Sequence, residues 1–205
     1  MPELSVPYGK EALGLEVPEK NLVFTAEPRT PPPFPNPEAE VERALEEPIG
    51  IPPFRELLGP GKRVAFLVDN FARATPAYEI LPPALRMVEE AGAKAEIIIA
   101  AGCLRPMTEG ELERKLGREI LSSGVPIFQN QARNSWEFEF IGVTDLGTPL
   151  FLNRRFLDAD LSVGVGLTQA SLWGYTGGGK IVLPGVASYE TIEWNHRLST
   201  SQKSG

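Results

Sequence analysis

Arg63-Val64-Ala65-Phe66-Leu67-Val68-Asp69-Asn70 is the stretch that decides the fold. A short run, apolar from Val64 to Val68 and closed by two polar residues, reads as a strand buried on both faces, as in a parallel sheet. Ala95-Glu96-Ile97-Ile98-Ile99-Ala100-Ala101 repeats the pattern and ends at Gly102, and residues 126–128 and 160–166 give two more such strands. Helical segments lie between them. Residues 76–90 form one, stopped by Gly92. Thr108, with Glu111 three residues on, opens another with a capping box. Residues 136–143 and 149–152 read as a hairpin around Asp145-Leu146-Gly147-Thr148. Ser188 caps a last helix running to about Ser199, on which Tyr189, Ile192 and His196 share a face. This alternation predicts an α/β fold: a mostly parallel sheet with helices on both faces and a ligand site at the carboxyl ends of the strands.

Outward from that centre the chain is less regular. Residues 1–36 are Pro-rich and read as extended, with Leu22-Val23-Phe24-Thr25 as a short strand and Pro31-Pro32-Pro33 in a connecting segment. Pro37 starts a helix over 38–46, and a helical turn through Leu57-Leu58 ends at Gly59-Pro60-Gly61. The expected organisation is an extended segment over 1–36, an α/β domain over 37–198 and a polar tail over 199–205. The net charge of -7, with basic residues spread along 205 positions, argues against nucleic acid or an anionic membrane as partner. No apolar run has the length of a membrane span or the form of a signal peptide, so a cytoplasmic location is the default expectation. One cysteine, Cys103, excludes an internal disulfide and a cysteine-built zinc site.

Three strand ends carry polar or glycine-rich residues: Asp69-Asn70 with Arg73, the stretch from Gly102 to Arg105, and the stretch from Thr168 to Lys180. Gly174-Tyr175-Thr176-Gly177-Gly178-Gly179-Lys180 has the spacing of a phosphate-binding loop. Ile181 stands where such a loop needs Ser or Thr for magnesium, which argues against a nucleoside triphosphate. Consecutive glycines let backbone approach a ligand closely, and a lysine beside them is either a phosphate contact or a covalent handle. His196, the only histidine, is a metal ligand, a proton-transfer group or a core residue. Arg73 suits a carboxylate or phosphate through its planar fork. Cys103 has no histidine to activate it and reads as a small packed residue.

From Tyr8-Gly9-Lys10 to His196 the chain resembles the N-terminal part of the nickel-dependent lactate racemase family. The resemblance is carried by Ala44-Leu45 to Pro48, Asp69-Asn70-Phe71-Ala72-Arg73-Ala74-Thr75-Pro76, Ala101-Gly102-Cys103-Leu104-Arg105-Pro106-Met107-Thr108, Gly174 to Lys180, Leu183-Pro184-Gly185 and Asn195-His196. It implies an isomerase that moves a hydride between a 2-hydroxy acid and a nickel pincer nucleotide, a pyridinium mononucleotide with two sulfur donors. Lys180 is then the covalent anchor and His196 the protein ligand to nickel, a donor set that suits that metal. Arg73 binds the cofactor phosphate or the substrate carboxylate, Asn70 and Gly177-Gly178-Gly179 contact the cofactor, and the family aspartate falls at Asn70 or Asp69. The family also carries a C-terminal domain that closes over the cofactor, and its absence from this sequence is a further expectation.

The departures bear on the reaction. The resemblance places an acid–base histidine at the position of Leu104 and another at that of Ala170. Neither side chain transfers protons, so lactate is disfavoured as substrate. Asp69, Tyr175, Glu109 or a group on another domain remain as candidate bases. Three readings follow: a racemase or epimerase of another 2-hydroxy acid, a non-catalytic module that holds cofactor or nickel, and a plain α/β nucleotide binder using Arg73 and the glycine loop.

Overall fold

The structure, a computed structural model, describes residues 3–9, 11–25, 32–171, 174–175 and 177–200. The chain divides into two compact units, Met1–Pro35 and Asn36–Gly205. In the first, β1 (Glu3–Tyr8) and β2 (Glu11–Glu16) pair antiparallel, from Glu3 opposite Glu16 to Tyr8 opposite Glu11. The segment Leu22 to Thr25, expected as a strand, is irregular. Val23 and Phe24 are exposed there, so no packed surface selects an extended pairing. Part of the Pro-rich connection, including Pro31, lies outside the described residues.

The second unit opens with α1 (Pro37–Glu46), capped by the Asn36 side chain, which accepts from Ala39 N at 3.1 Å. The short α2 (Phe54–Leu57) leads into β3 (Arg63–Asp69). Then follow α3 (Ala77–Glu90), β4 (Lys94–Ala100), α4 (Glu109–Ser122) and β5 (Ile127–Gln129). A hairpin of β6 (Phe138–Val143) and β7 (Pro149–Asn153) comes next, then α5 (Arg154–Leu157) and β8 (Leu161–Val165). The chain continues through two-residue strands β9 (Ala170–Ser171) and β10 (Gly174–Tyr175) to α6 (Tyr189–Arg197). A 3-10 turn, Leu198–Thr200, extends α6, and the tail from 201 lies outside the described residues.

Four strands form a parallel sheet in the order β5-β4-β3-β8. The predicted architecture is present. Its physical basis is the alternation within β3. Val64, Phe66 and Val68 face one side, with Ile97 and Ile99 beside them, against Phe54, Leu81, Met87 and Leu116 from α2, α3 and α4. Ala65 and Leu67 face the other side with Ile98, against Val186, Phe156 and Ile181. Side chains such as Phe66 and Ile98 are fully buried, each contributing roughly 1.5–3 kcal/mol. A third cluster, Ala132, Leu152, Ala187 and Ile192, fixes α6 on the hairpin.

The capping box at Thr108 is formed. Its hydroxyl oxygen accepts from Glu111 N at 3.3 Å, and Glu111 accepts from Thr108 N at 2.8 Å. The Arg105 guanidinium grips the same carboxylate at 2.7 Å through each of two nitrogens. Together, Arg105 first, they hold the Glu111 carboxyl down at about 2. This fixes the loop between β4 and α4, which Gln129 also clamps by accepting from Met107 N at 2.6 Å and donating to Met107 O at 3.0 Å. α4 is broken at Gly117, whose φ is 80°.

From β3 the chain crosses to β4, whereas β8 returns on the other side of β3. That reversal opens a crevice beyond the carboxyl ends of β3 and β8. The turns after β3, β4 and β8 meet there.

Candidate functional site

Asp69, the last residue of β3, is the anchor of this end. Its Oδ1 accepts from Lys115 Nζ on α4 at 2.6 Å. Its Oδ2 accepts from Leu167 N, just past β8, at 3.1 Å and from the Thr75 hydroxyl. Lys115 also donates to Arg73 O at 2.9 Å and Thr75 O at 3.3 Å. The side chains of Lys115 and Asp69 are only 5% and 14% exposed, so this ion pair is built into the fold. Three donors make Asp69 a clamp between β3, β8 and α4. It also lines the cleft, and Oδ1, with one donor, keeps a second acceptor position. Lys115 was not singled out by the sequence; a lysine on an amphipathic helix carries no local sign of a partner 46 residues away.

Asn70 is buried, and its amide is used locally. Oδ1 accepts from Ala72 N at 3.0 Å and Nδ2 donates to Ala101 O at 3.4 Å. It ties the turn after β3 to the end of β4 while lining the cleft between them.

Around the glycine-rich stretch β9 pairs antiparallel with β10, and Gly178–Ile181 form a 3-10 turn. Gly177 has φ 85°, and a Cβ on it would sit 2.7 Å from Thr168 Oγ1 and 2.9 Å from Leu167 O. Only glycine meets both conditions. Cβ atoms on Gly178 or Gly179 would meet nothing within 4 Å, so bare backbone stands open beside Lys180. The return of the loop is tighter. A Cβ on Gly185 would lie 2.0 Å from Ile181 O and 2.9 Å from Ala100 Cβ, and Gly185 O accepts from Gly102 N at 2.9 Å. Gly185→Ala is expected to push the loop off the sheet end and cost about 1–3 kcal/mol, the usual range for overpacking. Urea unfolding measures this; an unchanged midpoint with an unchanged slope would show that the loop yields freely.

These turns and α6 surround a cleft of about 260 Å³. Asp69 lines it from the end of β3, Asn70 and Arg73 from the turn after β3, Gly102, Cys103 and Leu104 from the turn after β4, and Gly177 and Lys180 from the glycine loop. Ile192 and His196 line it from α6. The Ser188 side chain caps that helix by accepting from Thr191 N at 3.2 Å. Residues far apart in sequence and expected to work together thus share one cavity. His196 Nδ1 is 2.8 Å from Ile192 O. A carbonyl only accepts, so Nδ1 carries the hydrogen, which leaves Nε2 as the ring nitrogen able to offer a lone pair, the usual arrangement of a ligating imidazole. Lys180 and Arg73 are exposed, and neither side chain has an acidic partner among the described residues.

Other candidates fall elsewhere. Gly178 and Gly179 flank the cleft wall without lining it, and Tyr175 and Glu109 do not line it. Cys103 is exposed at the cleft rather than packed as expected; partial desolvation still pushes its thiol upward from the ordinary value, against an opposing pull from Arg133, which disfavours the nucleophilic thiolate. Leu104 is 47% exposed at the cleft, and Ala170 sits in β9. Among the described residues no three His, Cys, Asp or Glu side chains gather to hold a metal ion. A metal in this cleft would take His196 from the protein and its other donors from a bound group. His196 Nε2, the open glycine backbone and Lys180, which has no acidic partner among the described residues, fit a group of that kind. Among the described residues no helix is long and apolar enough to cross a membrane.

Comparison with known proteins gives a consistent picture. Residues 8–205 match the family described as the lactate racemase N-terminal domain. The chain is 30% identical over 201 residues to the lactate racemase of Thermoanaerobacterium thermosaccharolyticum, which covers 96% of this chain and 47% of that protein. It is 28% identical over 201 residues to the lactate racemase of Lactiplantibacillus plantarum, with the same coverage. The lactate racemase apoprotein structure from T. thermosaccharolyticum superposes with a TM-score of 0.84 at 30% identity, over 95% of this chain and 46% of that one. A Thermotoga maritima structure shares the fold at 23% identity, with a TM-score of 0.65 over 80% of this chain and 42% of that one. The chain spans about half the length of the curated relatives it matches.

Proposed function

Since the chain belongs to the lactate racemase N-terminal domain family, we propose that it is the cofactor-holding half of a racemase or epimerase acting on a 2-hydroxy acid. The observation that carries this reading is the convergence of Lys180 and His196 on one cleft at the sheet end. Lys180 is the residue that would anchor a nickel pincer nucleotide through its Nζ, and His196 Nε2 is the donor that would complete the nickel coordination. When bound, that group supplies a reversible hydride acceptor for C2 of the substrate.

The remaining work falls to this chain's own residues. Arg73 binds an anionic group, the cofactor phosphate or the substrate carboxylate. The clamp of Asp69 with Lys115 holds the turn that carries Arg73, because Lys115 donates to Arg73 O. Ile192 O fixes the tautomer and tilt of His196. The hydroxyl proton of the substrate needs an acceptor, and Leu104 and Ala170 stand where the resemblance places histidines. We assign that acceptor to the part of the longer relatives that lies outside the matched half. The same two residues favour a second reading, a module that holds the cofactor or nickel without turnover.

Nickel content tests the reading directly. Protein produced together with the proteins that make the cofactor, then analysed for metal, should hold nickel in proportion to chain. His196→Ala should lose most of it while keeping its circular dichroism. Equal nickel in both proteins would remove His196 from the site. Racemisation of any 2-hydroxy acid by the loaded protein joined to its second half would exclude the non-catalytic reading.

A further inference from the structure

Among the described residues every arginine except Arg73, Arg114 and Arg133 lies within ion-pair distance of a carboxylate. Arg133 lies over the Tyr189 ring, 3.7 Å from its centroid. Arg73 and Arg114 have neither an acidic nor an aromatic partner, and both line the same cavity of about 310 Å³ between the turn after β3 and α4. The other charges at its walls are already matched. The Lys115 ammonium is spent on Asp69, Arg73 O and Thr75 O. The Glu111 carboxylate is held on both oxygens by Arg105. What remains is the positive charge of two guanidiniums without a counter-ion, in a protein whose net charge is -7. Exposed aromatic rings complete the wall: Phe71, with the Arg105 guanidinium 4.5 Å from its ring centroid, and Tyr78, whose hydroxyl is hydrogen-bonded to Glu79.

We infer that Arg73 and Arg114 form an anion subsite for a phosphate monoester, separate from the cleft that holds Lys180 and His196 and joined to it through Arg73. A dianionic phosphate matches two guanidinium charges, and each planar fork donates to two of its oxygens. The Tyr78 ring, beside the edge of a Phe71 ring covered by Arg105, gives the organic part of such an ester an apolar seat. The volume lies at the small end of ligand pockets, suited to a small phosphorylated metabolite. Arg73 shares its turn with Asp69 and Thr75, so an occupied subsite also stiffens the wall of the neighbouring cleft. The inference concerns the chain without cofactor, in which Arg73 is not engaged by the anion that the proposed function gives it.

The test uses the full chain without cofactor and inorganic phosphate as the probe, followed by two-dimensional NMR in a buffer free of other polyanions. Saturable shifts are expected in the amides of Phe71, Arg73, Tyr78 and Arg114. Arg114→Gln should weaken phosphate at least tenfold, Arg114→Lys should recover part of that loss, and acetate should bind far more weakly than phosphate. Spectra away from the pocket report whether the variants fold. Phosphate binding unchanged in Arg114→Gln, shifts confined to Gly177 and Lys180, or acetate as strong as phosphate would each overturn the subsite. A further titration with a sugar phosphate is expected to bind more tightly than phosphate alone; weaker binding would contradict the aromatic seat.

Discussion

Lys115→Met is expected to lower the unfolding free energy by about 3–5 kcal/mol, the range for removing one partner of a buried ion pair. The methionine keeps the length of the stem and its packing, so the loss is electrostatic. It leaves the Asp69 carboxylate, 14% exposed, with the Thr75 hydroxyl and Leu167 N but without its cation. It also strips donors from the carbonyls of Arg73 and Thr75. For a chain of this size each kcal/mol shifts Tm by roughly 2–4 °C, so the fall in Tm is about 6–20 °C. The double variant Lys115→Met with Asp69→Asn is expected to recover part of the loss, since no buried charge then stands alone. Chemical denaturation of the four proteins closes the cycle. Additive losses would show that Asp69 and Lys115 do not act as a pair.

The second large effect falls on chemistry rather than stability. Lys180→Arg is expected to abolish covalent loading while leaving the fold intact. Lys180 lies in the 3-10 turn just after two open glycines, and its side chain is exposed. A guanidinium there keeps the charge, but it stays protonated and is a poor nucleophile. Non-covalent affinity for an anionic nucleotide therefore survives in the variant while attachment does not. Lys180→Ala would lose both, and comparing the two variants separates the covalent role from the electrostatic one.

Much of this was legible in the sequence because it is encoded locally. Strands β3 and β4 announce themselves through continuous apolar runs, since both faces are buried. Thr108 with Glu111 and Ser188 before Tyr189 mark helix starts because capping is chemistry between near neighbours. The β6–β7 hairpin is marked by Asp145-Leu146-Gly147. The sites followed from the strand ends, because a parallel sheet brings those ends to one edge wherever they lie in the chain. Other features had no local signal. In the β1–β2 hairpin Leu4, Val6 and Tyr8 alternate with Glu3, Ser5 and Pro7, but the second strand buries none of its residues, so this short alternation marks no packed face. Strands β9 and β10 are too short to carry a period. The pairing of Lys115 with Asp69 and the sharing of one pocket by Arg73 and Arg114 depend on how α4 packs beside the turn after β3. Asp69 reads from the sequence as a free carboxylate at a strand end, and only its partners in space turn it into a clamp.

The most direct measurement is mass analysis of Lys180. The full chain is produced with the cofactor-synthesis proteins, digested and mapped, alongside the lactate racemase of T. thermosaccharolyticum as a loading control. A mass increment of the nucleotide on the peptide that contains Lys180, absent in Lys180→Arg and present with reduced nickel in His196→Ala, is the predicted result. An unmodified Lys180 under conditions that load the control, or an increment on any other residue, would contradict the account.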